Sequence, residues 1–165
     1  MANAKYEFVP GDEITIAPGR TVKRIRALVA ISYFASAGSL GGYIESEKSL
    51  EVSGDARVYG DARVSGDARV YGNAWVSGDA RVYDNARVSG DGLIVWFSHV
   101  GSENGTLTVY NTKDNSLEVT RGCFRGTIDA FLSASEKNHD DQTHLEYRLL
   151  IEVAHSRITR ARGAV

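Results

Sequence analysis

The chain has 165 residues, a formal net charge of −2 and 42% hydrophobic residues. A charge so close to balance gives no strong signal for nucleic acid or for a membrane surface as a partner. The single cysteine, Cys123, excludes an intrachain disulfide and fits a reducing compartment. Since no long apolar run and no signal peptide are present, we expect a soluble cytoplasmic protein.

Residues 1–39 read as short strands separated by turns, and we assign them to an N-terminal β cap. The strands are predicted at Lys5–Val9, Glu13–Ala17 and Thr21–Ser32. Proline and glycine at 10–11 and again at 18–19 mark the turns between them. We expect a small antiparallel sheet that covers the start of the segment that follows.

Residues 52–92 repeat a six-residue unit of the form V-S/Y-G-D-A-R almost without change, and we assign residues 40–93 to the repeat region. One valine and one alanine recur in every regular unit, which suits a narrow prism that buries one large and one small side chain per face. In such repeats each unit forms one face, and three units complete a coil. We therefore predict a mainly β fold built on a short left-handed parallel β-helix of about three coils, roughly 14–15 Å tall.

Weaker copies of the unit precede the regular repeats. Leu40 and Ile44 are matched to the valine and alanine positions of one unit, and Ser46 and Leu50 to those of the next. The two glycines that follow Leu40 are assigned to the turn into the first corner. This alignment places each of these residues over the one eighteen positions later.

The same spacing predicts which exposed side chains stack on one another. Tyr71 is placed between Ser53 and Ser89, so that large and small side chains alternate along a column. Trp75 is placed over Arg57, where it separates like charges and permits a cation–π contact.

Residues 94–165 leave the repeat, and an α+β region is predicted there. A β-hairpin pairs Thr106–Tyr110 with Leu117–Thr120, and a glycine-containing link, residues 121–126, leads on from it. This region is expected either to cover the far end of the β-helix or to mediate assembly.

Two helices are predicted after the link. Thr127 is a good N-cap for a helix at Ile128–Glu136. A second helix at Thr143–Ile158 follows from its apolar spacing.

Six segments outside the regular repeats carry distinctive motifs: Tyr6–Phe8, Arg24–Leu28, Leu40–Glu45, Val100–Thr106, Gly122–Thr127 and Glu146–Tyr147. These motifs resemble those of a family of small phage and prophage hexapeptide-repeat proteins. The resemblance implies a phage accessory protein in the cytoplasm of the bacterial host, and such proteins often act against host defence. The family is not tied to an established activity.

An enzymatic function is the alternative prediction. Many hexapeptide β-helix proteins are acyltransferases that use a histidine base, but no histidine lies within these repeats. A nucleophilic Cys123 with His99 or His139 as its base is a second enzymatic hypothesis. We predict instead a non-enzymatic binding protein with no cofactor and no metal.

Two segments rich in backbone N–H groups are candidate anion sites: the loop Gly101–Thr106, and the entry to the first helix at Gly122–Thr127. Arg121 and Arg125 lie beside the second segment. A nucleotide signal held there would make the protein a sequestering agent. The alternative is that both are ordinary turns. The candidate ligand-binding residues are Gly101, Ser102, Asn104, Gly105, Arg121, Cys123, Arg125 and Thr127.

Aromatic residues on the repeats form a candidate interaction surface: Tyr59, Tyr71, Trp75 and Tyr83. The surface would serve either a host defence complex, in the manner of an anti-CRISPR protein, or a homo-oligomer. We expect a homotrimer or homodimer.

Overall fold

The repeats form a stack of short parallel strands, and a computed structural model describes residues 5–31, 33, 35–51, 54–89 and 92–163. Each of the first three repeat strands pairs in parallel with the strand eighteen residues later. The repeat strands are β4 (Arg57–Val58), β5 (Arg63–Val64), β6 (Arg69–Tyr71), β7 (Trp75–Val76), β8 (Arg81–Val82) and β9 (Arg87–Ser89). Residues 40–89 are called the solenoid below.

The recurring valines and alanines fill the interior of the solenoid, as the repeat predicts. All of those from Ala56 to Val88 are at most 1% exposed. The predicted stacks of Tyr71 on Ser89 and of Arg57 on Trp75 are confirmed. The Arg57 guanidinium lies 4.8 Å from the centroid of the Trp75 ring, which is a cation–π distance. The predicted neighbour Ser53 lies outside the described residues.

The first coil has a different register from the predicted one. Strand β3 (Leu40–Ile44) pairs with β5 so that Ile44 lies on Val64, and Leu50 bridges to Val70. Both offsets are twenty residues, so Ile44 and Leu50 belong to the valine column and their assignment to alanine positions was wrong. A 3-10 turn, Glu47–Ser49, lies between them.

Close packing explains both this register and the two glycines of β3. A Cβ on Gly42 would lie 2.7 Å from the Ala62 carbonyl oxygen and 2.7 Å from Val58 Cγ1. Gly42 thus takes the small-residue position above Ala62, which leaves the valine position to Ile44. A Cβ on Gly41 would lie 2.7 Å from Ile25 Cγ1. The glycines lie within a strand and not at a corner, which corrects the prediction.

The N-terminal segment is one long hairpin, β1 (Tyr6–Ala17) and β2 (Arg20–Ala27). Residues 10–12, predicted as a turn, form an irregularity within β1. Strand β2 ends before the predicted limit, Ser32, which lies outside the described residues. The hairpin extends one face of the solenoid, in the sheet order β1-β2-β3-β5-β8.

The C-terminal region contains a four-stranded antiparallel sheet where a two-stranded hairpin was predicted. The two predicted strands are present, and a further strand precedes them. The segment predicted as a link forms the last strand of the sheet, because it folds back on the strand before it. The strands are β10 (Ile94–Val100), β11 (Gly105–Asn111), β12 (Leu117–Arg121) and β13 (Phe124–Thr127).

Both predicted helices are present, and each is longer than predicted. Helix α1 is Ile128–Asn138, and helix α2 is Asp141–Arg162. The predicted N-cap is confirmed, because the Ala130 N–H donates to Thr127 Oγ1 at 3.2 Å. Neither described helix is long and apolar enough to cross a membrane.

The sheet lies between the solenoid and the helices, and its side chains alternate between the two. On one face, Ile94 and Tyr110 join the solenoid core. On the other face, Leu107, Val109 and Val119 form a second core with α1 and α2. The sheet thus covers one end of the solenoid.

Candidate functional site

The first predicted anion site is the turn between β10 and β11, and contacts with α2 fill it. The Gly101 N–H donates to the Glu146 carboxylate at 3.2 Å, so a carboxylate of the protein already takes the place of an anion. A Cβ on Gly101 would lie 1.8 Å from the Tyr147 hydroxyl oxygen. Gly101 therefore serves the packing of α2 against this turn.

The structure brings Arg121 close to that turn. Arg121 Nη2 donates to the Val100 carbonyl at 3.3 Å, and its guanidinium packs against Gly105. Ser102, Arg121 and Cys123 line a cavity of about 220 Å³ on the helix side of the sheet. Asn104, at the same turn, adopts a left-handed conformation with φ 49°.

Arg125 lies on the opposite face of the sheet from Arg121. Arg125 is paired with Thr120 and Arg121 with Phe124 in the β12–β13 register, and neighbouring residues of a strand face opposite sides. Two predicted site residues are thus separated by the sheet. A third, Thr127, is engaged as the N-cap of α1.

The four aromatic residues of the predicted interaction surface do not share one face of the solenoid. Tyr59 and Trp75 lie on the face of β4 and β7, Tyr83 follows β8, and Tyr71 ends β6. Trp75 is 40% exposed, and the three tyrosines are half-buried. One flat interface would therefore use at most two of the four.

A larger cavity, of about 390 Å³, lies where the three parts of the chain meet, and we call it the junction cavity. The tip of the β1–β2 hairpin, the solenoid face of β5 and β8, and the β12–β13 turn each contribute to its wall. Its lining residues are Ile16, Ala17, Arg20, Ser65, Arg81, Tyr83, Asp84, Gly122, Cys123 and Arg125.

Three arginines and one aspartate line this cavity, and carboxylates pair with two of the three arginines. Arg20 Nη2 lies 2.8 Å from Glu45 Oε2 and holds the pKa of that carboxyl below its usual range. Arg125 pairs with Glu118 and with Asp84, and Arg20 Nη1 lies 3.9 Å from Asp84 Oδ1. Asp84 of the solenoid thus contacts Arg20 of the N-terminal hairpin and Arg125 of the C-terminal sheet.

Arg81 differs from the other two arginines because no carboxylate of the described residues forms an ion pair with it. Its Nη1 donates to the Gly122 carbonyl at 2.9 Å. A side-chain hydroxyl holds the Arg81 main chain: Thr120 Oγ1 donates to its carbonyl at 2.9 Å. The guanidinium thus keeps N–H donors that an anion in the cavity would accept from.

Ser65 contributes an unused polar group to the same wall. The residue is 0% exposed, and its Oγ has no hydrogen-bond partner among the described residues. A buried hydroxyl without a partner is unfavourable by about 1–3 kcal/mol, so a ligand that bonds to it gains that amount. Burial also raises the pKa of the neighbouring Tyr83, which keeps its phenol neutral.

The sequence carried a signal for this site that the prediction missed. The third residue of every unit from Val52 to Gly90 is glycine except in one unit, where it is Asp84. Asp84 adopts φ 48°, a left-handed conformation that favours glycine. The one departure from the glycine column therefore lies in the junction cavity.

The enzymatic hypotheses find limited support in the geometry. Cys123 is exposed and lines both cavities, and His139 lines the smaller one with it. In the described part of the chain, no histidine lines the junction cavity. Among the described residues, no group of three or more His, Cys, Asp or Glu side chains is arranged to hold a metal ion.

Comparison with known proteins places the repeats in a structural class. Residues 62–78 and 80–94 match the family model described as YdcK Beta solenoid repeat. The match agrees with the stacked parallel strands and supports a β-solenoid repeat for this part of the chain. No curated protein matches the chain.

Proposed function

We propose that the protein is a non-enzymatic binding protein that holds a phosphate-bearing small molecule in the junction cavity. The observation that carries this proposal is the Arg81 guanidinium, which has no carboxylate partner among the described residues and lies in the same wall as the unpartnered Ser65 hydroxyl. Together they offer an anion a strong donor and a neutral group that needs a partner.

The Arg81 guanidinium and the size of the cavity favour a phosphate over a neutral ligand. A guanidinium presents parallel N–H donors that match two oxygens of a phosphate. Cavities of about 300–1,000 Å³ hold most small-molecule ligands, and about 390 Å³ suits a compound near the size of a mononucleotide. Sequestration of a nucleotide signal is therefore the role we favour, ahead of blocking a protein complex.

The handedness of the solenoid, its number of coils and the biological role of the protein belong to the same proposal. The eighteen-residue pairing and the β-solenoid match support a left-handed helix of about three coils. The resemblance to phage proteins supports a role against host defence in the bacterial cytoplasm. An acyltransferase has less support, since none of the described residues that line the junction cavity is a histidine.

Calorimetry with pyrophosphate and with mononucleotides tests the proposal. We expect binding to the wild type and a loss of roughly 10- to 150-fold in Arg81→Gln, the equivalent of about 1.5–3 kcal/mol for a charge-assisted bond. Arg87→Gln is the matched control, because Arg87 has the same position in its repeat and also donates to a backbone carbonyl, that of Asp67. Equal affinities in both variants would contradict the proposal.

The single cysteine provides an independent readout at the same wall. Cys123 is exposed in the free protein and lines the cavity. A bound phosphate compound should slow its reaction with a thiol reagent in the wild type and in Arg87→Gln but not in Arg81→Gln. Unchanged labelling in the presence of a compound that calorimetry shows to bind would place the site elsewhere.

A further inference from the structure

Helix α2 carries two apolar rows, and only one of them packs against its own chain. The inner row joins the core beneath the sheet: Tyr147, Ile151, Ala154 and Ile158. The outer row is Leu145, Leu149 and Val153, which are 43%, 51% and 48% exposed. They are three of the eight large hydrophobic residues exposed in the described part of the chain, and they follow one another at four-residue spacing. A second apolar row on a helix is typical of a contact with another helix.

The charges on α2 indicate which helix would fit. Asp140 and Asp141 lie at its start, whereas Arg157 and Arg160 lie near its end and form no ion pair among the described residues. An antiparallel copy of the same helix would bring the acidic start of each against the basic end of the other. A parallel copy would place like charges together. The two ends of the helix are therefore complementary to each other in the antiparallel direction.

We propose that α2 pairs with α2 of a second copy of this chain, in an antiparallel arrangement centred on Leu149. In this register Leu145 lies opposite the partner's Val153, and Asp141 lies at the level of the partner's Arg157. The overlap from residue 141 to residue 157 is about 24 Å long at 1.5 Å per residue. A single helix pair is smaller than a standard protein interface, so the dimer is of modest affinity and depends on concentration.

Light scattering after size exclusion tests the pairing over a range of protein concentrations. We expect the wild-type mass to rise from 17.9 kDa towards twice that value, and Leu149→Glu to stay at 17.9 kDa. Val29→Glu is the matched control, because Val29 is 43% exposed at a site outside α2. Val153→Glu is a second variant if Leu149→Glu fails to fold, which circular dichroism reports.

A charge exchange tests the direction of the pair. Asp141→Lys and Arg157→Glu should each weaken the dimer, and the double variant should restore it, because both ends then carry the reverse charge. A monomeric wild type at all concentrations, a trimer, or a dimer that Leu149→Glu leaves intact would overturn the inference. A double variant weaker than both single variants would overturn the antiparallel direction.

Discussion

The substitution Gly42→Ala tests the register of the first coil, on which the placement of the N-terminal hairpin depends. A Cβ at this position would lie 2.7 Å from the Ala62 carbonyl oxygen and 2.7 Å from Val58 Cγ1. The first of these atoms belongs to the backbone of the next coil, so no side-chain rotation removes the clash. The strands must separate instead.

The expected loss of stability in Gly42→Ala follows from two opposing effects. Overpacking of a well-filled core is unfavourable by about 1–3 kcal/mol. Replacing glycine by alanine also restricts the unfolded chain, which favours folding by about 0.4–1 kcal/mol. The net loss is therefore about 1–2 kcal/mol of unfolding free energy. For a chain of this length the corresponding fall in Tm is about 2–8 °C.

Thermal unfolding followed by circular dichroism measures this difference, with Gly163→Ala as the control. Gly163 has φ −81°, and the nearest atom to a Cβ there is the Arg160 carbonyl oxygen at an ordinary 3.7 Å. The control should melt at the wild-type temperature or slightly above it. If Gly42→Ala melts with the control, Gly42 does not occupy the small-residue position and the twenty-residue offset is wrong.

Three further substitutions test local features of the fold. Tyr6→Phe removes a buried hydroxyl that donates to a backbone carbonyl at 2.6 Å, which should reduce stability by about 1–2 kcal/mol in urea unfolding at neutral pH. Burial raises the pKa of Tyr6 to about 12. The difference in unfolding free energy between Tyr6→Phe and the wild type should therefore vanish as the pH rises from the usual phenol range through about 12. Glu45→Gln should lower Tm at neutral pH. The difference in Tm between the variant and the wild type should narrow as the pH falls through the folded-state pKa of the Glu45 carboxyl, which Arg20 holds below its usual range. A difference in Tm that does not change with pH would exclude this ion pair as the cause. Gly101→Ala should reduce stability by about 2–3 kcal/mol, and adding Tyr147→Phe should recover part of this loss, since the hydroxyl is the nearest obstacle. No recovery would show that the hydroxyl is not the main obstacle, which leaves the ring carbon Cζ at 2.4 Å and the backbone strain at φ 70° as the causes.

The period of the repeat was sufficient to predict the interior of the solenoid. The valine and alanine columns follow from a six-residue spacing that leaves each residue type only one place in the prism. The N-cap at Thr127 was equally predictable, because capping is a local interaction between neighbouring residues. These features depend on short-range pattern alone.

The first coil was mispredicted because its register depends on contacts between coils. Counting in units of six placed Ile44 at an alanine position, whereas the backbone of the next coil leaves room there only for Gly42. The last sheet strand was missed for a related reason. Residues 121–127 carry two glycines and no clear alternation, and they form a strand because β12 supplies a partner.

The junction cavity could not be predicted from short-range sequence patterns, because its charged groups come from three separate parts of the chain. Arg20 comes from the N-terminal hairpin, Arg81 from the solenoid and Arg125 from the sheet. Sequence analysis singled out Arg125 and Cys123 but paired them with Arg121, which the sheet places on its other face. The break of the glycine column at Asp84 was the one local sign of the site.

Native mass spectrometry of the folded protein with an added mixture of mononucleotides tests the central claim most directly. We predict that the wild-type chain and Arg87→Gln retain a phosphate-bearing compound in a ratio of one per chain, and that Arg81→Gln retains none. The claim would be contradicted if the wild type took up no compound from the mixture. Equal retention by Arg81→Gln would contradict it as well, because the ligand would then be bound outside the junction cavity.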